Sequence, residues 1–386
     1  MKFEVLVVGG GLIGAALARA LRGTSVALVA QERRAPAAGS TDFDSRIYAI
    51  SPGNAQFLSG LGVWQRMPRE RVTPVHVMRV HGDAGDSMIE FDAYSAGVSE
   101  LAWIVEDGLL QDALWQELEM QPRLAIFAPA ECARLEVGAR GTLLTLGSGE
   151  TIEAQLAVGA DGARSFVRAQ AGIAVDEHPY GQTAVVANFA CERPHRNVAF
   201  QWFQGGPVLA FLPLSGEHVS MVWSTGDDHA ARLLALEPEA LAREVALASG
   251  DTLGALSLVT APRGFPLRRL GAARMVAPHV ALAGDAAHVL HPLAGQGANL
   301  GFQDARELAS VIAAREPFRG PGDLRLLRRY ERARAEAILA MRGTVHGLFR
   351  LFGSRAPIAA KARNAGLKFA DRMPVVKNLM MRHAMT

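Results

Sequence analysis

The stretch Phe3-Glu4-Val5-Leu6-Val7-Val8-Gly9-Gly10-Gly11-Leu12-Ile13-Gly14, with the alanine-rich residues 15–21 behind it, decides the fold. The apolar, partly β-branched run predicts a strand, the glycines a tight turn, and the alanines a helix. In a G-x-G-x-x-G spacing Gly9 takes the turn, Gly11 leaves room for a pyrophosphate, and Gly14 lets helix pack on strand, with the helix amino terminus facing phosphate. A second strand is expected over residues 25–30, and an acid that holds a ribose belongs about 20 residues beyond the loop. The strand ends on Ala30 and the nearest acid is Glu32, which is either that ribose ligand or a surface residue beside Arg33 and Arg34. By itself the loop suits NAD, NADP and FAD equally.

Two more strand ends narrow the choice. Residues 156–160 read as a buried strand running into Gly159-Ala160-Asp161-Gly162-Ala163-Arg164-Ser165-Phe166-Val167-Arg168. This places a carboxylate and open backbone donors beside a ligand, or else makes an ordinary Asp-Gly turn. Residues 280–283 form a third such strand, followed by Gly284-Asp285-Ala286-Ala287-His288, by Pro292-Leu293-Ala294-Gly295-Gln296-Gly297-Ala298-Asn299-Leu300-Gly301, and by a helix to about Ala314. Asp285 sits where an open α/β sheet holds its ligand, and a carboxylate there suits a polyol such as ribitol. Glycines 295–301 let N–H groups at a helix start, with roughly half a positive charge, approach the ligand. That end would stabilise a negatively charged reduced flavin.

These residues resemble the class A flavoprotein monooxygenases of the para-hydroxybenzoate hydroxylase fold, and more closely the hydroxylases of ubiquinone biosynthesis. The closer likeness rests on Asp44-Ser45-Arg46-Ile47-Tyr48-Ala49-Ile50-Ser51, on residues 58–64 (LSGLGVW), on residues 284–301, and on Phe211-Leu212-Pro213-Leu214 followed by Val222-Trp223-Ser224-Thr225. It runs over essentially the whole chain. The resemblance implies that Gly9, Gly11 and Gly14 contact the ADP part of FAD, that Arg46 and Gln111 contact its pyrophosphate and ribityl region, and that Asp161 and Gly162 form the second fingerprint. It also implies that Gly284 and Asp285 hold ribitol, and that Pro292, Gly295, Gln296, Gly297, Ala298 and Asn299 form the flavin-facing wall. The implied activity is aromatic hydroxylation: NADPH or NADH reduces FAD, O2 adds to it, and a flavin hydroperoxide attacks a phenolic ring, with a polyprenylated phenol of ubiquinone biosynthesis as substrate. A small-phenol hydroxylase, another flavin oxidoreductase on the same scaffold, and a non-catalytic flavoprotein of a biosynthetic complex are the alternatives.

The fold class expected is α/β: a Rossmann-like FAD-binding domain with a parallel sheet, an inserted, mainly antiparallel β-sheet substrate domain, and a C-terminal helical segment. The cofactor domain is expected from residues 1–71, 101–175 and 271–320. The substrate domain is expected from 72–100 and 176–270, where Val219, Met221 and Trp223 alternate with Ser220, Val222 and Ser224. Its sheet would cover the flavin ring and floor an apolar pocket. Phe200, Trp202, Phe211 and Trp223 are the candidates to line that pocket, or else are plain core. No catalytic acid or base is required, because the cofactor supplies the chemistry.

Bulk properties exclude other classes. A chain of 386 residues, 49% hydrophobic and 20% charged, suits a multidomain globular enzyme. No apolar run approaches the roughly 20 residues of a membrane span. Basic residues lack aromatic interleaving, so no nucleic-acid role is expected. His288 and His291 stand three apart without a third ligand and with Pro292 next, which argues against a metal and for shaping the turn. Cys132 and Cys191 lie in no motif and read as small hydrophobes. Arg328, Glu331, Arg332 and Glu336 read as an exposed, ion-paired helix face. Residues 343–386 carry eight Lys or Arg against Asp371 alone, so this segment is +7 within a chain of net +2. The basic C-terminal segment, 321–386, is therefore either a solvated face or a contact for a membrane surface or an accessory protein. With two cysteines too few for a disulfide framework and no charged-then-apolar leader before the first strand, a cytoplasmic location is expected, with a peripheral position on the inner face of the membrane as an option.

Overall fold

Val5–Val8 are buried on both faces of their strand, the pattern of a central strand in a parallel sheet covered by helices. The computed structural model describes residues 1–32, 43–82, 87–289 and 297–353. Its first sheet centres on β1 (Lys2–Val8), which pairs in parallel with β2 (Val26–Val29) on one side and β11 (Thr151–Gly159) on the other. Outside these lie β8 (Leu124–Phe127) on β2, and β19 (Val280–Leu282) on β11, both parallel, with the short β18 (Val276–Ala277) antiparallel at the edge. A meander of β9 (Cys132–Val137) and β10 (Thr142–Leu146) joins β11. Helices α1 (Leu12–Ala20), α4 (Asp107–Glu119), α5 (Phe166–Gln170), α8 (Gly297–Ala313) and α9 (Leu324–Gly353) accompany this sheet. Leu6, Leu17, Leu28, Leu114, Phe302 and Tyr330 are fully buried in one core. Each such side chain contributes roughly 1.5–3 kcal/mol.

The second sheet is mainly antiparallel and is built around β12 (Val175–Cys191), a strand long enough to pair with three others. On one side lies β15 (His218–Gly226), then β14 (Val208–Leu214), β13 (Val198–Phe203), β5 (Val77–His81) and β6 (Met88–Asp92). On the other lie β17 (Arg263–Ala272) and β20 (His288–Val289), with β16 (Leu256–Leu258) also on β12. Helices α6 (Asp227–Leu234) and α7 (Pro238–Ala248) cover one face. A small sheet of β3 (Ile47–Ile50), β4 (Thr73–Val75) and β7 (Ala102–Glu106) joins the halves, with α2 (Pro52–Gly60) and α3 (Ala93–Ala96) beside its connections. Asn188 of β12 donates to the Asp44 carbonyl at 2.8 Å, so the face opposite α6 and α7 looks toward the segment before β3.

This orientation corrects the choice of pocket residues. Phe200, Phe211 and Trp223 are buried, and with Trp202 they pack in the cluster of Leu233, Leu241 and Val245 from α6 and α7. They are core beneath the helices. The opposite phase of the alternation faces the segment before β3. Among the helices of the described residues, none is long and apolar enough to cross a membrane. The basic tail beyond Gly353 lies outside the described residues.

Candidate active site

The chain leaves β1 for β2 on one side and returns through β11 on the other, so the switch of direction opens a crevice at the carboxyl ends of β1 and β11. All three glycine segments arrive there. Gly9 has φ of +114°, and a Cβ on it would come within 2.9 Å of the Asp161 Cα. A Cβ on Gly14 would overlap the Gly9 carbonyl oxygen, so the start of α1 sits directly on the loop. A Cβ on Gly11 meets nothing within 4 Å among the described residues, so the space in front of it is open to them. Trp115 of α4 pins the loop by donating its Nε1–H to the Gly10 carbonyl at 3.1 Å.

Asp161 follows β11 and accepts from the Val167 N–H at 3.1 Å, at the start of α5. Burial pushes its carboxyl above the ordinary aspartate value, opposed by Ser165 and the α5 amides. Its Oδ1 is buried without a partner among the described residues. Arg168 of the same motif is buried and donates to the Ala163 and Ala286 carbonyls, both at 2.8 Å, tying this segment to the third one.

The third segment turns over Gly284–Ala286 just past β19. Ile13 of α1 packs against it: a Cβ on Gly284 would lie 3.1 Å from Ile13 Cγ1, and one on Gly301 only 2.6 Å from Ile13 Cδ1. Asp285 opens onto the cleft and is exposed there, yet the protein around it still raises its carboxyl, against the pull of His288, Arg46 and Arg268. Arg46 lies between the rings of Tyr48 and Phe265, 5.7 and 5.9 Å from their centroids. Tyr48 chiefly, then Asp107, Asp285 and Asp44, keep its guanidinium above the ordinary arginine range in spite of burial. Gln111 donates to both Asp107 carboxylate oxygens, at 3.1 and 3.3 Å. Asp285, Arg46, Asp107 and Gln111 thus form one charged and polar group.

This set fits a diphosphate-bearing, polyhydroxylated cofactor: among the described residues, open space at Gly11, Gly162 and Gly297 and a buried carboxylate oxygen of Asp161 without a partner, with Asp285 beside Arg46. The family described as FAD binding domain matches residues 2–342. Over 384 residues, 99% of this chain and 89% of the other, the sequence is 37% identical to ubiquinone hydroxylase UbiL of Rhodospirillum rubrum. The chain belongs to the ubiquinone-hydroxylase family of FAD-dependent monooxygenases. This flavoprotein is also 34% identical to the 3-demethoxyubiquinol 3-hydroxylase of Escherichia coli, over 99% of this chain and 98% of that one. In fold it resembles pqsL, a probable FAD-dependent monooxygenase from Pseudomonas aeruginosa, with a TM-score of 0.80 at 23% identity, covering 96% of this chain and 100% of that one.

Other residues of the flavoprotein stand as follows. Glu32 is exposed just beyond β2. Asn299 is buried and its side chain turns back into the protein, donating to the Ala49 carbonyl at 2.8 Å and accepting from the Ser51 N–H at 3.0 Å. It fastens the start of α8 to β3 and α2. Pro292, Gly295, Gln296 and His291 lie outside the described residues. The sheet face opposite α6 and α7 carries Val186, Val222, Ala210 and Leu212, contiguous across β12, β15 and β14 and only half-buried although these are interior strands. Cys191 is buried and Cys132 half-buried, and burial pushes their thiols up to about 12 and about 11. Glu331, read as part of an ion-paired face, instead accepts from the Met275 N–H at 2.9 Å.

Sequence reasoning missed Asp304, Tyr330 and Arg334. Asp304 is fully buried and accepts from the Gly284 N–H at 2.9 Å, from His288 Nε2 at 2.7 Å and from Arg334 Nε at 2.7 Å. Tyr330 donates to the Leu282 carbonyl at 2.9 Å. The available signal was an acid on the mainly apolar, buried stripe of an amphipathic helix, seven residues after Gly297.

Proposed function

We propose that this flavoprotein hydroxylates the aromatic ring of a hydrophobic, polyprenylated phenol in ubiquinone biosynthesis. The observation that carries this reading is the 37% identity, over 99% of the chain, with a ubiquinone hydroxylase. When bound, FAD reduced by NADH or NADPH supplies the activation of O2 that inserts one oxygen atom into an electron-rich ring. The chain's own part is to bind, orient and keep out water, which is why no acid–base pair is needed.

In this reading Gly11 leaves space for the pyrophosphate, with Arg46 and Gln111 on its ribityl side and Glu32 toward the adenosine ribose. Asp285 accepts hydroxyls of ribitol. Amides at the start of α8, from Gly297 and Ala298, stabilise negative charge at one end of the ring system, completed by Pro292, Gly295 and Gln296. Asn299 acts from behind by holding that helix start in place. Val186, Ala210, Leu212 and Val222 form the floor on which the phenol lies. They are small and uncharged, which suits a substrate without a carboxylate. The cofactor half then comprises 1–71, 101–175 and 271–320, and the substrate half 72–100 and 176–270. The basic segment 321–386 meets an anionic membrane surface or an accessory protein from the cytoplasmic side, where a prenyl tail can stay in lipid.

Mass spectrometry of the product from a short-tailed prenyl phenol, O2 and each nicotinamide tests the reading. The expected product is the substrate plus one oxygen on the ring. Substrate-stimulated NAD(P)H oxidation without any oxygenated ring would overturn it.

A further inference from the structure

The turn Gly284–Ala286 is clamped from three helices. Arg168 of α5 holds the Ala286 carbonyl, Asp304 of α8 holds the Gly284 N–H, and Tyr330 of α9 holds the Leu282 carbonyl two residues before the turn. The second of these clamps is itself a charged, fully buried assembly. Asp304 Oδ2 takes both the Gly284 N–H and His288 Nε2, and its Oδ1 takes Arg334 Nε. A carboxylate only accepts, so the His288 ring must carry a proton on Nε2. His288 follows the turn on β20 and Asp285 lies inside it, so Asp304 grips the turn on both sides of Asp285. Arg334 also donates to the Leu300 carbonyl at 3.3 Å, fixing α9 to α8. An ion pair this deeply buried is weak evidence for stability, because desolvation offsets its attraction, and it is better suited to selecting one geometry. The geometry selected here is that of a carboxylate and a helix start facing one ligand.

We propose that Asp304 is a positioning residue for the flavin-contacting turn, acting through Gly284 and His288, with Arg334 of α9 as the countercharge that keeps it in place. This rests on the reading that Asp285 contacts the ribityl chain. Asp304 touches no reacting atom itself. Its replacement by Asn offers one oxygen to donors on opposite sides, so either Gly284 or Arg334 faces an NH2 group. Arg334→Met leaves the carboxylate charged and its Oδ1 without the guanidinium, and His288→Leu removes one donor while His288→Gln restores one.

The test measures FAD dissociation constants by flavin fluorescence, together with the midpoint potential and visible spectrum of bound FAD and the melting temperature of the apoprotein. Asp304→Asn and Arg334→Met should each weaken FAD at least tenfold and shift the potential. The double variant should be no weaker than the worse single one, because the two residues act as one unit. His288→Leu should weaken FAD and His288→Gln should recover most of the loss, and this pair decides the matter should Asp304→Asn fail to fold. Lower melting with unchanged affinity per folded molecule, spectrum and potential would mean a purely structural pair and would overturn the proposal. Asp285→Asn separates the two levels: if it too leaves FAD affinity unchanged, the flavin reading fails; if it alone weakens FAD, only the Asp304 proposal fails.

Discussion

At the scale of single residues, the glycines of the first loop do different work. A methyl at position 14 has nowhere to go except into the Gly9 carbonyl, whereas at position 11 it enters open space. Gly14→Ala should therefore destabilise even the apoprotein, by about 1–3 kcal/mol, in urea melts. Gly11→Ala should leave apoprotein melting within about 0.5 kcal/mol and raise the FAD dissociation constant at least tenfold, because the new methyl occupies the cofactor's space. Equal losses in both variants would remove the argument for a pyrophosphate at Gly11. A pH dependence belongs to this scale as well. Burial alone would raise the Asp304 carboxyl, but His288 and Arg334 hold it below the usual range. A depressed folded-state value gives stability that is present above the unfolded carboxylate value, about 4, and lost as pH falls through the folded one. Asp304→Asn should thus be less stable than wild type near pH 7, with the gap in urea midpoints narrowing below about pH 4. A gap that widens on acidification would contradict the assignment.

At the scale of elements, the strand–glycine–helix unit was legible because its signal is local: six residues of strand, a fixed spacing, and a helix whose first turn needs no side-chain cap. The alternation in β15 was legible too. Which phase meets the cofactor was not, since a period of two names two faces without saying what packs on either. Aromatic size drew the choice to Phe200, Phe211 and Trp223, and α6 and α7 turned out to cover them. The faces can be separated by mutation. Val222→Phe should raise KM for a prenyl phenol about tenfold or more with FAD affinity intact, whereas Phe211→Ala should cost about 3–5 kcal/mol of stability and leave the KM of the folded enzyme unchanged. A KM effect at Phe211 with none at Val222 would reverse the face assignment. Asp304 and Arg334 escaped notice for another reason: they stand 30 positions apart and meet only because α9 packs on α8.

At the scale of the whole molecule, α9 both leads to the basic tail and packs on the first sheet and α8, through Tyr330 on Leu282 and Arg334 on Asp304. Ending the chain after Asp323 should abolish FAD binding and solubility together, while ending it after Gly343 should keep the bound flavin and lose binding to anionic liposomes in sedimentation. Full liposome binding by the shorter-tailed protein would remove the membrane role from the tail. The most far-reaching link is smaller. Ile13 fills the hollows left by Gly284 and Gly301, nearly 300 positions away, so the first loop is cut to fit the last one. These positions constrain one another: a larger residue at 301 demands a smaller one at 13, while position 284, at φ +61°, disfavours any side chain. Chimeras that exchange the first thirty residues between relatives should hold flavin only when donor and recipient share this trio, and that matching offers a practical rule for recombining such enzymes.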